Sequence, residues 1–219
     1  MSRIGILAGL GAAAGVRFYD LLVRECQRRG AVLDSDFPEI VIYNMSSEGM
    51  DARGVVNILR MREDLLKGIM LLNKCGVKRI VIACNSVHIF HNELQKHSSA
   101  YILNMPEIAK EYCRGKKVGV ISSRSTRDTT LYGFGTLFCD DLQQVRVDTI
   151  IGRVVSGRSD SRDHTQLRTI TRTLFKRGAY YVVLACTELP ILMNPSRNVI
   201  DPAELVIRKL LDEYDSERN

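Results

Sequence analysis

The sequence predicts an α/β fold of two similar lobes, each a mainly four-stranded parallel sheet flanked by helices, related by a pseudo-two-fold axis. Apolar runs alternate with helical patterns along the 219 residues, which is typical of parallel sheets with crossover helices. The runs are rich in Val and Ile, as expected of strands that are covered on both faces. Landmarks of the first half also recur in the same order in the second half.

The predicted strands are short and separated by longer segments. In chain order they are Arg3–Ala8, Glu39–Tyr43, Arg79–Ala83, Tyr101–Leu103, Lys117–Ser122, Val145–Thr149, Tyr180–Ala185 and Val199–Ile200. The first run, with one basic residue and small residues around it, weakly resembles a signal peptide. Glycines interrupt its apolar stretch, so a buried strand followed by a glycine loop is the better interpretation.

Helical patterns fill the segments between the strands. They span roughly Ala13–Arg29, Val55–Cys75, Val87–His97, Pro106–Cys113, Thr126–Asp140, His164–Arg177 and Pro202–Tyr214. Two of them start at a proline, which is favoured in the first turn of a helix. We expect an N-terminal lobe over residues 1–101 and a C-terminal lobe over residues 102–201. The C-terminal helix, 202–219, could return to the first lobe.

The repeat between the two halves is visible in three pairs of segments. "RIGILAG" from Arg3 matches "KVGVISS" from Lys117, and "KCGVKRIVIAC" from Lys74 matches "KRGAYYVVLAC" from Lys176. "NMPEIAKEY" and "IDPAELVIRK" follow in the same order. The same supersecondary unit is therefore expected twice.

Both copies of the second segment end on a cysteine, Cys84 in one half and Cys186 in the other. The carboxyl ends of parallel strands face the ligand crevice of an open sheet. A helix that starts there favours a thiolate over a thiol and also binds carboxylates. If the lobes face each other, the two thiols approach one cavity from opposite sides. Inversion of a stereocentre needs two acid/base groups in this arrangement.

Small polar residues follow each of these cysteines and could hydrogen-bond a ligand; they are Asn85, Ser86, Thr187 and Glu188. The remaining cysteines stand on helical patterns without such neighbours; they are Cys26, Cys75, Cys113 and Cys139. Buried cysteine is ordinarily a small hydrophobic residue. We therefore assign chemistry to the matched pair and packing to the others.

Composition excludes several partners. The net charge of +6 is modest and the basic residues are scattered, so no nucleic-acid partner is expected. No apolar run reaches the length of about eighteen residues that a membrane span needs. The six cysteines form no CxxC pair, which favours reduced thiols and a cytoplasmic protein.

The two cysteine motifs resemble those of a known family. "ACNSVH" (Ala83–His88) is similar to the ACNT-x-H motif of the aspartate/glutamate racemase superfamily. "ACTELP" (Ala185–Pro190) resembles the second motif, in the form of the aspartate-racemase branch; glutamate racemases usually have a histidine where Glu188 stands. The resemblance covers nearly the whole chain. It implies a cofactor-independent amino-acid racemase, with Cys84 and Cys186 as the two bases, and a homodimer.

The resemblance also implies a small dicarboxylic amino acid as the substrate. Aspartate fits the branch, while glutamate or a broad specificity stays open. The expected substrate contacts are Gly9, Leu10, Asn85, Ser86, Thr126 and Thr187, with Thr126 taken from the loop "SSRSTRDTTLY" that follows the fifth strand.

The distal carboxylate is expected to meet Arg158, which stands where the family has the lysine of a Gly-Lys pair, and Arg53. The family's IPDR-T arginine is not recognisable, and Arg53 is displaced from its position. The first loop, "AGLGAAAG", also departs from the family's GGMGP-x-A-T. His88 and Glu188 are expected to lie next to the thiols and to support them, without binding the substrate. No metal ion is expected at the site.

Other functions remain open from the residues. "GLGAAA" fits the G-x-G-x-x-A fingerprint of a nucleotide-binding oxidoreductase, although Asn44 stands where an acidic residue is expected. Cys84, His88 and His91 have the spacing of metal ligands without an evident fourth ligand. A racemase-like small-molecule binding protein without turnover, and hydantoin racemisation or maleate isomerisation, also fit the pattern.

Overall fold

The structure, a computed structural model, describes residues 3–129 and 131–217. Its strands are β1 (Arg3–Ala8), β2 (Ile40–Asn44), β3 (Met50–Asp51), β4 (Gly54–Val55), β5 (Val77–Ile82), β6 (Tyr101–Ile102), β7 (Val118–Ser122), β8 (Leu137–Phe138), β9 (Tyr181–Ala185) and β10 (Val199–Ile200). Its helices are α1 (Ala12–Arg28), α2 (Ile58–Lys74), α3 (His91–Lys96), α4 (Met105–Tyr112), α5 (Arg124–Arg127), α6 (Asp141–Val155), α7 (Ser161–Lys176), α8 (Leu189–Leu192) and α9 (Pro202–Ser216). A 3₁₀ turn covers Ser86–Phe90.

Within the described residues, two four-stranded parallel sheets form the framework. The first has the strand order β2-β1-β5-β6, and the second, read from the matching edge, has the order β8-β7-β9-β10. The repeated segments therefore occupy equivalent places, since β1 corresponds to β7 and β5 to β9. This confirms the predicted α/β fold with two parallel sheets and helices around them.

One predicted strand, Val145–Thr149, was wrong, because it lies within α6. Its β-branched residues favour a strand, but a capping box fixes a helix start just upstream. Asp140 accepts a hydrogen bond from the backbone N–H of Gln143, whose side chain accepts one from the backbone N–H of Asp140. The buried positions then follow a helical period: Gln144, Val147, Ile150, Ile151 and Val154.

The helix predicted over Thr126–Asp140 was also wrong. The helix α5 ends at Arg127, and turns lead from there to β8, which pairs in parallel with β7. Glycines at 133 and 135 disfavour a continuous helix here. Thr130, inside the predicted range, lies outside the described residues. The strand β8 takes the edge position that β2 has in the first sheet.

The C-terminal helix packs against the first sheet. Its buried side chains share one apolar cluster with β1 and α1; the members from α9 are Ala203, Val206, Ile207, Leu210, Leu211 and Tyr214. The buried carboxylate of Asp201, which caps α9, also pairs with Arg17 of α1 at 2.7 Å. The helix thus joins the end of the second sheet to the core of the first lobe.

A short hairpin, β3–β4, connects the two lobes on the side of the strand ends. The backbone N–H of Ser125, in α5, donates to the carbonyl of Arg53 at 2.8 Å. The backbone N–H of Val55 donates to Ser125 Oγ at 3.0 Å. These contacts hold the hairpin across the cleft. Among the described residues, no helix combines the length and apolarity that crossing a membrane requires.

Candidate active site

A cavity of about 140 Å³ lies where loops from both lobes meet, and both Cys84 and Cys186 line it. Its walls come from the loops after β1, β5, β7 and β9, from the β3–β4 hairpin, and from α6. The lining includes these residues predicted from the sequence: Gly9, Leu10, Asn85, Ser86, Thr187 and Glu188. Matched loops at the carboxyl ends of two sheets therefore build one shared site.

The central strands of the sheets bring the two thiols to this cavity. Cys84 follows β5, which lies between β1 and β6, and Cys186 follows β9, which lies between β7 and β10. Both cysteines are buried, with 5% and 8% of their surface exposed. Strands that are covered on both faces hold their ends rigidly, so the two sulfur atoms have well-defined positions.

The surroundings of Cys84 on balance keep its proton on the sulfur, but they also include hydrogen-bond donors. Burial and the negative charge of Glu188 raise the pKa of the Cys84 thiol to about 12. Against this, hydrogen bonds from the backbone N–H groups of Ser86 and Val87, and from the Ser86 hydroxyl, act to lower that pKa. These donors stabilise a negative sulfur once it forms.

The surroundings of Cys186 favour its thiol. Cys186 Sγ donates to Glu188 Oε2 at 3.0 Å, and Thr187 Oγ1 donates to the same oxygen at 3.2 Å. Burial raises the pKa of Cys186 well above its usual value, and the charge and hydrogen bond of Glu188 raise it further. A carboxylate that accepts the S–H proton holds that proton on the sulfur until another acceptor competes.

Glu188 is itself buried, and burial raises its pKa. Its Oε1 lies against Gly11, where a Cβ atom would stand only 1.9 Å from that oxygen. Gly11 precedes α1, whose N-terminus has no side-chain cap. The partial positive charge of a helix N-terminus stabilises a carboxylate, so the first lobe supports the charge of Glu188. This carboxylate also occupies the place where the fingerprint of an oxidoreductase would bind pyrophosphate.

A buried hydroxyl network joins the Cys84 side of the cavity to the second lobe. Ser86 Oγ lies 2.7 Å from Thr126 Oγ1 and 3.1 Å from Ser123 Oγ. Thr126, predicted to contact the ligand, does not line the cavity and lies behind Ser86. It therefore orients the serine that hydrogen-bonds Cys84.

Asn85 offers the cavity an unused donor. The hydroxyl of Tyr132 donates to Asn85 Oδ1 at 2.5 Å, which turns the amide nitrogen away from the tyrosine. Asn85 Nδ2 is buried and has no hydrogen-bond partner among the residues that the structure describes. A buried amide donor of this kind is costly unless a ligand accepts its hydrogen bond. Tyr132 was not predicted as a site residue, although it ends the loop segment that pointed to Thr126.

His88 lies behind Cys84 and does not line the cavity. Its Nδ1–H donates to the carbonyl of Cys84 at 2.8 Å, and burial lowers its pKa to about 4, so the ring is neutral. His91 donates from Nε2 to the carbonyl of Ile102 at 2.8 Å. Over residues 3–129 and 131–217, no group of three or more His, Cys, Asp or Glu side chains could hold a metal ion.

The two predicted arginines lie outside the cavity. Arg53 is exposed and pairs with Asp51, while Arg158 is exposed in the turn after α6. Among the described residues that line the cavity there is no lysine, arginine or histidine. Gly11 and Ser123 also line the cavity; they lie in the quoted segments "AGLGAAAG" and "SSRSTRDTTLY" but were not predicted as site residues. The other lining residues that were not predicted are Ser47, Met50, Asp51, Ala52, Gly54, Ile151 and Val155.

Comparisons with known proteins agree with this geometry. The model of the Asp/Glu/hydantoin racemase family matches residues 7–210. A broad specificity amino-acid racemase, RacX of Bacillus subtilis (strain 168), is 26% identical over 96% of this chain and 97% of its own length.

Solved structures show the same fold. The aspartate racemase of Picrophilus torridus superposes with a TM-score of 0.79 and 23% identity, covering 97% of this chain and 94% of its own. An aspartate racemase homologue from Pyrococcus horikoshii OT3 gives a TM-score of 0.78 and 21% identity, covering 98% of this chain and 100% of its own.

Proposed function

Since the chain belongs to the Asp/Glu/hydantoin racemase family and is an amino-acid racemase, we propose that it inverts the α-carbon with Cys84 and Cys186 as its two acid/base groups. One observation carries the proposal: both thiols line one cavity, each at the end of a central strand of its own sheet. Inversion needs a base on one face of the carbon and an acid on the other.

The different surroundings of the sulfurs give each a starting role. Cys84, which faces several hydrogen-bond donors, acts first as the thiolate that removes the α-proton. Cys186, which donates to Glu188, acts as the thiol that delivers a proton to the opposite face. One C–H bond breaks as the Cys84 S–H bond forms, and the Cys186 S–H bond breaks as the new C–H bond forms. The reverse reaction exchanges the two roles.

The substrate's α-carboxylate fits the buried end of the cavity. Asn85 Nδ2 supplies a free donor there, and the Thr187 hydroxyl lines the same region. Such preorganised donors stabilise the charge that develops when the α-proton leaves, provided that water is excluded. No step of this mechanism requires a cofactor, because the chain supplies both the base and the acid.

The prediction of a dicarboxylic substrate rests on the family resemblance. An aspartate or glutamate would bring a second carboxylate, for which the described lining offers no cationic side chain. The lining therefore gives no support for a second carboxylate on the substrate.

The test is exchange of the α-proton in D2O with L- and D-amino acids, followed by chiral analysis. We expect deuterium incorporation together with inversion. Replacing Cys84 or Cys186 by serine should abolish the inversion, while Cys75→Ser, which changes a partly buried thiol outside the cavity, should retain it. Binding of amino acids without any exchange by the folded protein would overturn the proposal and favour a binding protein without turnover.

A homodimer and a cytoplasmic location remain predictions that accompany this function. The described residues contain six free cysteines, and a reaction that depends on two of them fits a reducing compartment. Light scattering of the purified protein would measure the oligomeric state directly.

A further inference from the structure

The cavity has two chemically different ends. Its inner end is buried and polar, and it holds the two thiols, Asn85 and Thr187. Its outer end lies under the β3–β4 hairpin and against α6, where the lining is largely apolar, with Met50, Ala52, Ile151 and Val155. One charged side chain, Asp51, stands at the outer end. A ligand that fills the whole cavity therefore contacts buried polar groups, apolar side chains and a carboxylate.

The inner end fixes the direction in which an amino acid lies. Asn85 lines the cavity, and its buried Nδ2, which has no hydrogen-bond partner among the described residues, is the donor that we assign to the α-carboxylate. The α-carbon must lie between the two sulfur atoms if they act on it. With these two groups placed, the side chain extends towards the hairpin and α6.

The charge at the outer end is negative. The side chain of Asp51 is 39% exposed, and its hydrogen bonds with Arg53 lower its pKa, so it is ionised at neutral pH. Arg53 reaches Asp51 from outside the cavity, with Arg53 Nη2 2.6 Å from Asp51 Oδ2, and is also attracted by Asp148 of α6. A second carboxylate on the substrate would be repelled by Asp51, which lines the cavity, whereas Arg53 does not line it.

We propose that the outer end is a subsite for a cationic side chain, and that the substrates are long basic amino acids such as lysine and arginine. This rests on the proposed racemisation at the two thiols. The aliphatic stem of the substrate packs along Met50, Ala52, Ile151 and Val155, and its cationic head takes the place of Arg53 on Asp51. The substrate thus completes an ion pair whose acidic half the chain provides.

The experiment measures α-proton exchange in D2O for lysine, arginine, norleucine, aspartate and glutamate. Norleucine has the same aliphatic stem as lysine without the ammonium group, so the ratio of their kcat/KM values isolates the charge. The wild-type protein is expected to exchange lysine and arginine faster than norleucine, and aspartate and glutamate slowest.

Two variants give opposite expectations for that ratio. Asp51→Asn should lower it about five- to tenfold, the scale of a charge-assisted contact that is partly exposed. Arg53→Ala should raise it about two- to fivefold, because the substrate no longer competes for Asp51. The matched control is Asp212→Asn, an exposed aspartate paired with Arg29 on the other side of the first lobe, which should leave the ratio as it is.

The outcomes separate this inference from the function on which it rests. Exchange confined to aspartate and glutamate, or an unchanged ratio in folded Asp51→Asn, would overturn the subsite and leave the racemase intact. An Arg53→Ala variant that loses aspartate exchange would assign the subsite to anionic side chains instead. Absence of exchange with every amino acid in the panel would overturn the proposed function, and the subsite with it.

Discussion

The two halves of the candidate active site are built from matching segments, yet the side chains beside the two sulfur atoms form opposite kinds of hydrogen bond. The residue two positions after the cysteine is Ser86 in the first half and Glu188 in the second. The serine donates to Cys84, whereas the carboxylate accepts from Cys186. Burial raises the pKa of both thiols, and this one position in the repeat adds a hydrogen-bond donor beside Cys84 and an acceptor beside Cys186.

This difference shows how a symmetric framework supports an asymmetric reaction. Each sulfur also depends on the opposite lobe: Thr126, from the second lobe, holds Ser86, and Gly11, from the first lobe, leaves room for Glu188. The surroundings of each cysteine thus include contacts across the cleft, and do not come from either half alone.

The largest effect should come from removing either sulfur. In Cys84→Ser and Cys186→Ser we expect racemisation to fall about 10³-fold or more, because one face of the α-carbon then lacks its acid/base group. Each variant should still exchange the α-proton of one enantiomer slowly, and a different one in the two variants. Proton exchange measured separately on L- and D-substrates checks this; the same residual enantiomer in both variants would contradict opposite faces.

The next effect concerns the carboxylate that distinguishes the halves. Glu188→Gln removes a negative charge that raises the pKa of both thiols, so both should ionise at lower pH, Cys186 more than Cys84. Each unit of pKa changes the thiolate fraction about tenfold at a given pH below the pKa. Alkylation rates of the two thiols, followed by mass spectrometry across pH, measure the shift.

A matched control for this variant is Glu107→Gln, which removes an exposed carboxylate on α4. This control should leave the pKa values of both thiols unchanged. Equal shifts for the two thiols in Glu188→Gln would mean that the charge of Glu188 acts generally, and that its hydrogen bond to Cys186 has no separate effect.

A smaller effect should follow from crowding Glu188. Gly11→Ala places a Cβ 1.9 Å from Glu188 Oε1 and requires a non-glycine residue at a φ of 95°, so it should lower both stability and activity. Gly157→Ala has a similar positive φ, of 67°, but its Cβ meets open space. The backbone strain, about 1–2 kcal/mol, is common to both. Only Gly11→Ala should lose activity in the folded state. This is checked by comparing the kcat values of the two variants under conditions in which the same fraction of each protein is folded.

The smallest effect should come from Tyr132→Phe. Its hydroxyl fixes the amide of Asn85, so without it the amide can turn and present Oδ1 to the substrate carboxylate. A lost hydrogen bond of this kind is worth about 1 kcal/mol, which corresponds to a rise in KM of about fivefold. Because the thiols are untouched, kcat should change less than KM. The control is Tyr180→Phe, at a tyrosine with 44% exposure. A fall in kcat alone in Tyr132→Phe would contradict a positioning role for its hydroxyl.

The sequence predicts the framework well because the framework is repeated and buried. Strands such as β5 and β9 are apolar on both faces, and each is followed directly by polar residues, so both the strand and its functional end are visible as local patterns. The two sheets and the cysteines at their ends could therefore be found without coordinates.

Where the structure differs from what the sequence pattern suggests, the causes are local. The run Val145–Thr149 has β-branched residues typical of a strand, but the capping box at Asp140 starts a helix before it. The arginines at 53 and 158 stand on loops, where an exposed side chain turns to the nearest carboxylate or to solvent. Lining residues such as Ala52 and Ile151 reach the cavity only through tertiary packing, which no spacing in the sequence records.

The β3–β4 hairpin separates two tasks that often conflict in enzymes. Its attachment across the cleft uses the backbone of Arg53 and Val55, while Met50, Asp51 and Ala52 line the cavity. The side chain of Asp51 also accepts from the backbone N–H of Arg53 at 2.7 Å, so Met50 and Ala52 are the positions that can change without disturbing the turn. The hairpin is thus the segment at which directed evolution could retune the chain's selectivity with the least loss of turnover.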